Sequence, residues 1–165
     1  MNMVDNQGYR FNVGIILVNA KGQVFLGKRQ GIDAWQFPQG GIHKGESMTE
    51  AVYRELREEL GLDPTDVTIL GSTQRWLKYE LPKQYVRMES KPVVFGQKQR
   101  WYLLQLQSCD QKVCLDSSQR PEFDSWRWAP YWEPLEYVIF FKRKVYERAL
   151  HELAPILAQK IDPSE

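Results

Sequence analysis

Apolar and polar positions alternate first between residues 11 and 19, where Phe11, Val13, Ile15 and Leu17 share one side of an extended chain and Gly14 leaves a position bare. A period of two predicts a strand there. Asn19-Ala20-Lys21-Gly22 reads as a turn and 23–29 as a returning strand, so a hairpin opens the fold. Trp35-Gln36-Phe37-Pro38 predicts a short extended piece, after which a loop runs from Gln39 to Glu46. The period then lengthens. Met48, Val52, Leu56 and Leu60 recur four apart, Ser47 and Glu50 match a capping box, and Gly61 stands just past the end, which predicts a helix over 47–60. Residues 67–77 are strand-like, and an irregular basic excursion interrupted by Pro82 and Pro92 follows up to Gln99. Residues 100–107 predict a central strand covered on both faces, and 123–129 another strand. Pro134 suits a helix start, Val138, Phe141, Val145 and Ala149 keep helical spacing, and Pro155 predicts a bend or an end. Strands and helices in this order predict an α/β fold, a sheet packed between helical layers.

Composition narrows the class. A chain of 165 residues suits one domain over 1–165, and its 42% hydrophobic content excludes a mainly disordered chain. No apolar run approaches the roughly 18 residues of a membrane span, and the first residues lack the order of a signal peptide, so a cytoplasmic location is expected. Cys109 and Cys114 are too few for a disulfide scaffold and predict a reduced pair. His43 and His151 lie far apart without a cysteine nearby, so any bound metal needs oxygen ligands. Trp35, Trp101, Trp126 and Trp128 read as packing groups, and Trp76, beside the excursion, stays open.

Net charge is only +1, yet it is unevenly spread. Residues 75–100 hold seven basic side chains against two acidic ones, whereas 46–59 hold five glutamates against two arginines. One segment suits polyanions and the other cations. At about 100° per residue, Glu55, Glu58 and Glu59 fall within an arc of about 100° bordering the apolar stripe. Like charges at these spacings weaken a helix, and these stand near its negative C-terminal end. Such a helix suits a hard divalent cation. By charge alone, a solvated face balanced by Arg54 and Arg57 is an equal alternative.

The loop before this helix adds Gly40, Gly41, Gly45 and Glu46, and the whole run resembles a known signature. Gly40, five residues, Glu46, seven residues, Arg54-Glu55-Leu56, one residue, Glu58-Glu59, one residue, Gly61-Leu62 is similar to the Nudix hydrolase box at every specified position. The resemblance implies the Nudix fold, an α/β/α sandwich with a central mixed β-sheet, and hydrolysis of a nucleoside diphosphate linked to another moiety. It implies Glu55, Glu58 and Glu59 as catalytic ligands of Mg²⁺ or Mn²⁺, with Gly40 offering its carbonyl. Arg54 would position the glutamates, and Gly41, Glu46 and Gly61 would support the motif.

Flanking segments narrow the resemblance further. Gly8–Gly14, Trp35–Gly41, Gly96–Gln99, Pro121–Asp124, Trp126–Trp128 and Phe141–Arg143 resemble bacterial RNA 5′-pyrophosphohydrolases, also described as dinucleoside polyphosphate hydrolases. Phe11 departs from a proline common in that group. The implied substrates are 5′-triphosphate or diphosphate RNA ends, converted to monophosphate ends that promote RNA decay, or diadenosine tetra- and pentaphosphates, releasing ATP. A non-catalytic nucleotide- or RNA-binding module is a third possibility, opposed by the three glutamates. Neither DNA nor membrane is expected as a partner. Arg10, Arg29 and Lys142 are candidates for the phosphate chain, Phe141 with Arg29 for the base, and Tyr79 for a further contact. Glu122 is implied to approach the metal and activate water, with Glu55, Glu59 and His43 as rival bases.

Overall fold

The computed structural model describes residues 3–161. Its organising pair is β1 (Tyr9–Val18) and β7 (Gly96–Leu106), which run parallel through ten register positions from Tyr9↔Gly96 to Val18↔Gln105. A parallel pair needs a long crossover, and the intervening chain supplies the helix α1 (Met48–Leu60). The far edge of β7 pairs antiparallel with β5 (Val67–Ser72) and β6 (Leu77–Glu80).

The expected hairpin is a turn only. After the Asn19–Gln23 closure, β2 (Val24–Arg29) shares the single pair Val18↔Val24 with β1 and then diverges. It pairs instead with β3 (Trp35–Gln36) and β8 (Phe123–Ala129). The vacated edge of β1 is taken by β4 (Gln39–Gly41), so the expected loop begins as a strand. Because β1 must satisfy its backbone groups on both edges, the polar backbone of Gln39–Gly41 is drawn into the sheet. The described residues form one eight-stranded mixed sheet.

Each face of that sheet carries a helix, as an α/β/α sandwich requires. Val13, Ile15 and Leu17 pack with Ala51, Val52, Leu56 and Leu60 of α1. Ile16, Val18, Trp101 and Leu103 pack with Tyr146, Ala149, Leu150 and Leu153 of the last helix. Each Val, Leu or Ile among them contributes about 1.5–3 kcal/mol on burial. Trp101 is fully buried, and Trp126 stacks on Phe25 at 5.2 Å. Trp76 meets Phe11 edge-on at 5.2 Å, which makes it a packing group too.

Three further expectations are corrected. The strand expected over 67–77 breaks after Ser72, where buried Thr73 turns the chain by exchanging bonds with Trp101. The helix expected from Pro134 is a single turn, α2 (Pro134–Tyr137), because Val138 is extended; Phe141 and Lys142 then lead into α3 (Arg143–Lys160). Pro155 does not end α3. It lies on the exposed face, where water can solvate the carbonyl it leaves free, while Leu153 and Leu157 anchor the inner face. The helix cap is the bond from the Glu50 amide to Ser47 Oγ at 3.1 Å. Cys109 and Cys114 are free and exposed, and no helix among the described residues is long and apolar enough to cross a membrane.

One sheet face changes character along its length. Register rows on the α3 side run from Ile16–Leu103 through Gly14–Trp101 to Asn12–Gln99–Leu77 and then Arg10–Gln97–Tyr79. The core therefore ends in a polar network, in which Gln99 donates to Asn12 at 2.8 Å and to Gln39 at 2.9 Å.

Candidate active site

The first half of the site is built on Arg54. Its guanidinium donates to both Glu46 oxygens at 2.7 and 2.9 Å, to Glu55 at 2.6 Å and to the Gly41 carbonyl at 2.7 Å. Glu46 also accepts the His43 amide at 3.0 Å, so one carboxylate ties the glycine loop to the helix. Hydrogen bonding to Arg54 holds the Glu46 carboxyl down at about 2. Gly40 lies against the Glu55 carboxyl group, and any side chain there would overlap it. Glu58 is exposed, 3.5 Å from Arg54.

Glu59 lies deeper, with its Oε2 buried and without a hydrogen-bond partner. Burial first, then the neighbouring carboxylates of Glu55 and Glu122, raise its pKa well above the ordinary range. Burial also raises Glu55, against the opposing pull of Arg54.

Glu122 arrives from the turn before β8, held where its carbonyl accepts the Gln30 amide at 2.9 Å. Gln36 donates to its carboxylate at 3.4 Å, and Arg29 stands 3.6 Å away. Lys142 donates to the other end of the Gln36 amide at 3.4 Å. Burial and the charge of Arg29 push the Lys142 ammonium down to about 8, opposed by Glu122 and Glu59.

The third group is Arg10, Tyr79 and Phe141. Tyr79 is buried, which pushes its phenol up to about 12, against Gln39 and Arg10 beside it. Phe141 is backed by Tyr79 at 5.8 Å and by Tyr85 at 5.1 Å. The fold thus gathers Glu55, Glu58, Glu59 and Glu122 beside Arg10, Arg29, Lys142, Tyr79 and Phe141. The part of His43 in it is its backbone amide, and Gly61 closes the helix at the opposite end from the loop. Gln36, Gln39 and Gln97 complete the site and were missed by sequence reasoning. Their signal was a polar residue at an inward strand position.

Among the described residues, no three Asp, Glu, His or Cys side chains already converge as a metal cage, because Glu55 and Glu58 turn toward Arg54. The donor set nonetheless fits a divalent cation. It consists of hard carboxylate oxygens, one buried and unpartnered, whose mutual repulsion a cation would relieve.

Comparison with known proteins agrees with this geometry. A NUDIX domain model matches residues 8–149. The chain belongs to the Nudix family. Members of this family typically use a divalent metal ion, and the chain is a Nudix hydrolase. Among its Nudix relatives, a Legionella pneumophila protein is 62% identical over 158 residues, covering 96% of this chain and 90% of that protein. A Hahella chejuensis protein is 53% identical over 158 residues, covering 96% and 98%. Both carry the name RNA pyrophosphohydrolase. In structure, the Escherichia coli dihydroneopterin triphosphate pyrophosphohydrolase superposes with a TM-score of 0.67 at 20% identity, covering 86% of this chain and 95% of that one. A Caenorhabditis elegans Ap4A hydrolase gives 0.65 at 20% identity, covering 90% and 98%. These two likenesses establish the Nudix fold alone.

Proposed function

We propose that this Nudix hydrolase converts 5′-triphosphate RNA ends, and diphosphate ends, to 5′-monophosphate ends and so promotes RNA decay. The observation that carries the reading is 62% identity to an RNA pyrophosphohydrolase over 96% of the chain. The arrangement of the cleft supports it, since carboxylates adjoin cations and an aromatic ring, as a base-terminated phosphate chain requires.

Glu55, Glu58 and Glu59, with the Gly40 carbonyl, would hold Mg²⁺ or Mn²⁺, with Glu122 facing the ion from the turn before β8. Once bound, such an ion draws charge from phosphoryl oxygens and lowers the pKa of an attacking water. Arg54 keeps Glu55 and Glu58 oriented. Arg10, Arg29 and Lys142 bind phosphate oxygens without reading sequence, and the Tyr79 hydroxyl orients the chain. Phe141 and Arg29 hold the base; the Arg29–Glu122 pair is long and exposed, so releasing it costs little. Glu122 accepts the proton of the attacking water, because a glutamate engaged with metal is a poor acceptor.

Incubation with end-labelled triphosphate RNA and Mg²⁺ tests the assignment. Release of pyrophosphate with monophosphate RNA is expected. Persistence of the triphosphate end, while free nucleotides are cleaved, would overturn it. A second reading is hydrolysis of diadenosine tetra- or pentaphosphate with release of ATP, favoured by the Phe141 ring, which Tyr79 and Tyr85 back beside Lys142. Equal or greater kcat/KM on the dinucleotide, in competition with triphosphate RNA, would make this the main activity.

A further inference from the structure

The chain from Val138 to Lys142 leads from α2 into the cleft. Along it Val138 is buried, Ile139 and Phe141 are half-buried, and Phe140 is 70% exposed, more than any other large apolar side chain among the described residues. A ring placed there adds little to the core. Yet the turn that carries it is fixed at both ends. On one side the Arg127 guanidinium stands 5.2 Å from the Trp35 ring and 5.3 Å from the Tyr137 ring, and donates to Glu133 at 3.0 Å, which clamps α2 against β3 beside Gln36. On the other, the Lys142 amide donates to the Ile139 carbonyl at 3.0 Å and Arg143 donates to the Leu135 carbonyl. The Phe140 and Phe141 rings lie 5.4 Å apart at 89°, so at least one face of Phe140 is open to solvent. Residues 138–146 hold three cations and no acidic side chain, and neither Arg143 nor Lys144 forms an ion pair among the described residues.

We infer that Phe140 is a stacking platform for the nucleobase that follows the one held by Phe141 and Arg29, so that the enzyme grips a single RNA strand past its 5′ end. The inference rests on the RNA-end reading above and deepens it. An RNA whose phosphates reach the carboxylates and whose base meets Phe141 must leave the cleft along its 3′ side. Phe141 and Lys142 belong to the cleft, so Phe140, one residue earlier, is at its rim. Every base has a flat π-face, so an exposed ring can hold it whatever its identity, and the cations of 142–144 offset the charge of the backbone. A ring fixed beforehand loses little freedom when a base stacks on it. Diadenosine tetraphosphate carries no nucleotide on the 3′ side of either adenosine, and Phe140 therefore favours RNA over the dinucleotide.

The test compares Phe140→Ala and Phe140→Tyr with the wild type on a short triphosphate RNA, on the same RNA with one base at a time removed to leave an abasic sugar, and on diadenosine tetraphosphate. Phe140→Ala is expected to lower kcat/KM on the RNA about tenfold more than on the dinucleotide, the loss typical of one stacked base, while Phe140→Tyr stays close to the wild type. In the wild type one abasic position should cost the same factor, and in Phe140→Ala that position should become indifferent. Phe141→Ala marks the base on Phe141 in the same way, and the Phe140 position should lie one nucleotide downstream of it. Because the Phe140 ring is exposed, far-UV circular dichroism should report an intact fold. Equal loss on RNA and dinucleotide would mean that Phe140 only supports Phe141 and would overturn the inference, as would an abasic profile shared by the wild type and Phe140→Ala. So would a wild-type dimer that Phe140→Ala dissociates in analytical ultracentrifugation, since the ring would then belong to an interface between copies. Binding of the 5′-monophosphate form of the same RNA, followed by fluorescence anisotropy, separates the two readings. If the wild type left triphosphate ends intact while Phe140→Ala still weakened this binding about tenfold, the RNA-end reading would fall and the stacking platform would stand.

Discussion

Arg54 and Arg10 stand in the same cleft and do opposite work. Arg54, on α1, is saturated: it donates to Glu46, Glu55 and the Gly41 carbonyl, and these bonds raise its pKa above the ordinary value. Arg10, on β1, is half-buried with an unpartnered Nε, and burial lowers its pKa below the ordinary value. The difference lies in the neighbours, since both side chains are guanidiniums. Where carboxylates of the protein bond the cation directly it becomes scaffold, whereas Arg10 feels the charge of Glu55 without bonding to it, which leaves its donors open.

The largest expected effect lies on the carboxylates of α1 that face the metal position. Glu58→Gln and Glu59→Gln should each lose about 10²-fold or more in kcat, about 3 kcal/mol of transition-state stabilisation, while the fold is kept. Near-full kcat at saturating Mg²⁺ would reduce either residue to a surface charge. Glu122→Gln comes next, with kcat lowered about tenfold or more at saturating substrate and Mg²⁺. Rescue by raised metal concentration would make Glu122 a ligand instead of a base.

The two arginines themselves should then separate by the sign of their effect on stability. Arg54→Ala leaves Glu46 and Glu55 uncompensated and should cost about 2 kcal/mol, read as a lower Tm. Arg10→Ala removes an unpaired cation, so Tm should hold or rise while kcat/KM falls about tenfold. A matching drop in Tm would break the comparison. The smallest effect is on acid stability. The Glu46 carboxyl is held down at about 2 from an ordinary 4.5, so its contribution is complete above the ordinary value and is lost as pH falls through about 2. In Arg54→Ala the fall of Tm over that interval should be shallower, and an unaltered slope would detach Glu46 from Arg54.

Legibility followed the range of the interactions. The helix over 48–60 and the strand over 123–129 are local patterns, and both stand where periodicity placed them. The strand expected over 100–107 extends back to Gly96, because Gln97 and Gln99 are inward positions that look polar in isolation. The hairpin failed because the turn at 19–22 sets only the closing pair, whereas β4 and β8 compete for the remaining edges. The Pro134 helix failed because Val138 keeps helical spacing without helical dihedrals.

From the sequence alone came the family, the acidic helix and a set of candidate residues around it, because spacing along a helix and a motif of adjacent residues are local properties. Tertiary structure decided which of those residues are already satisfied. Parallel pairing of β1 with β7 aligned Arg10 with Gln97, and pairing of β6 with β7 added Tyr79 to the same row. The turn before β8 carried Glu122 to Glu59. Whether a buried charge is paired or left free depends on groups brought from distant segments, and those arrive only when strand register and helix packing are set.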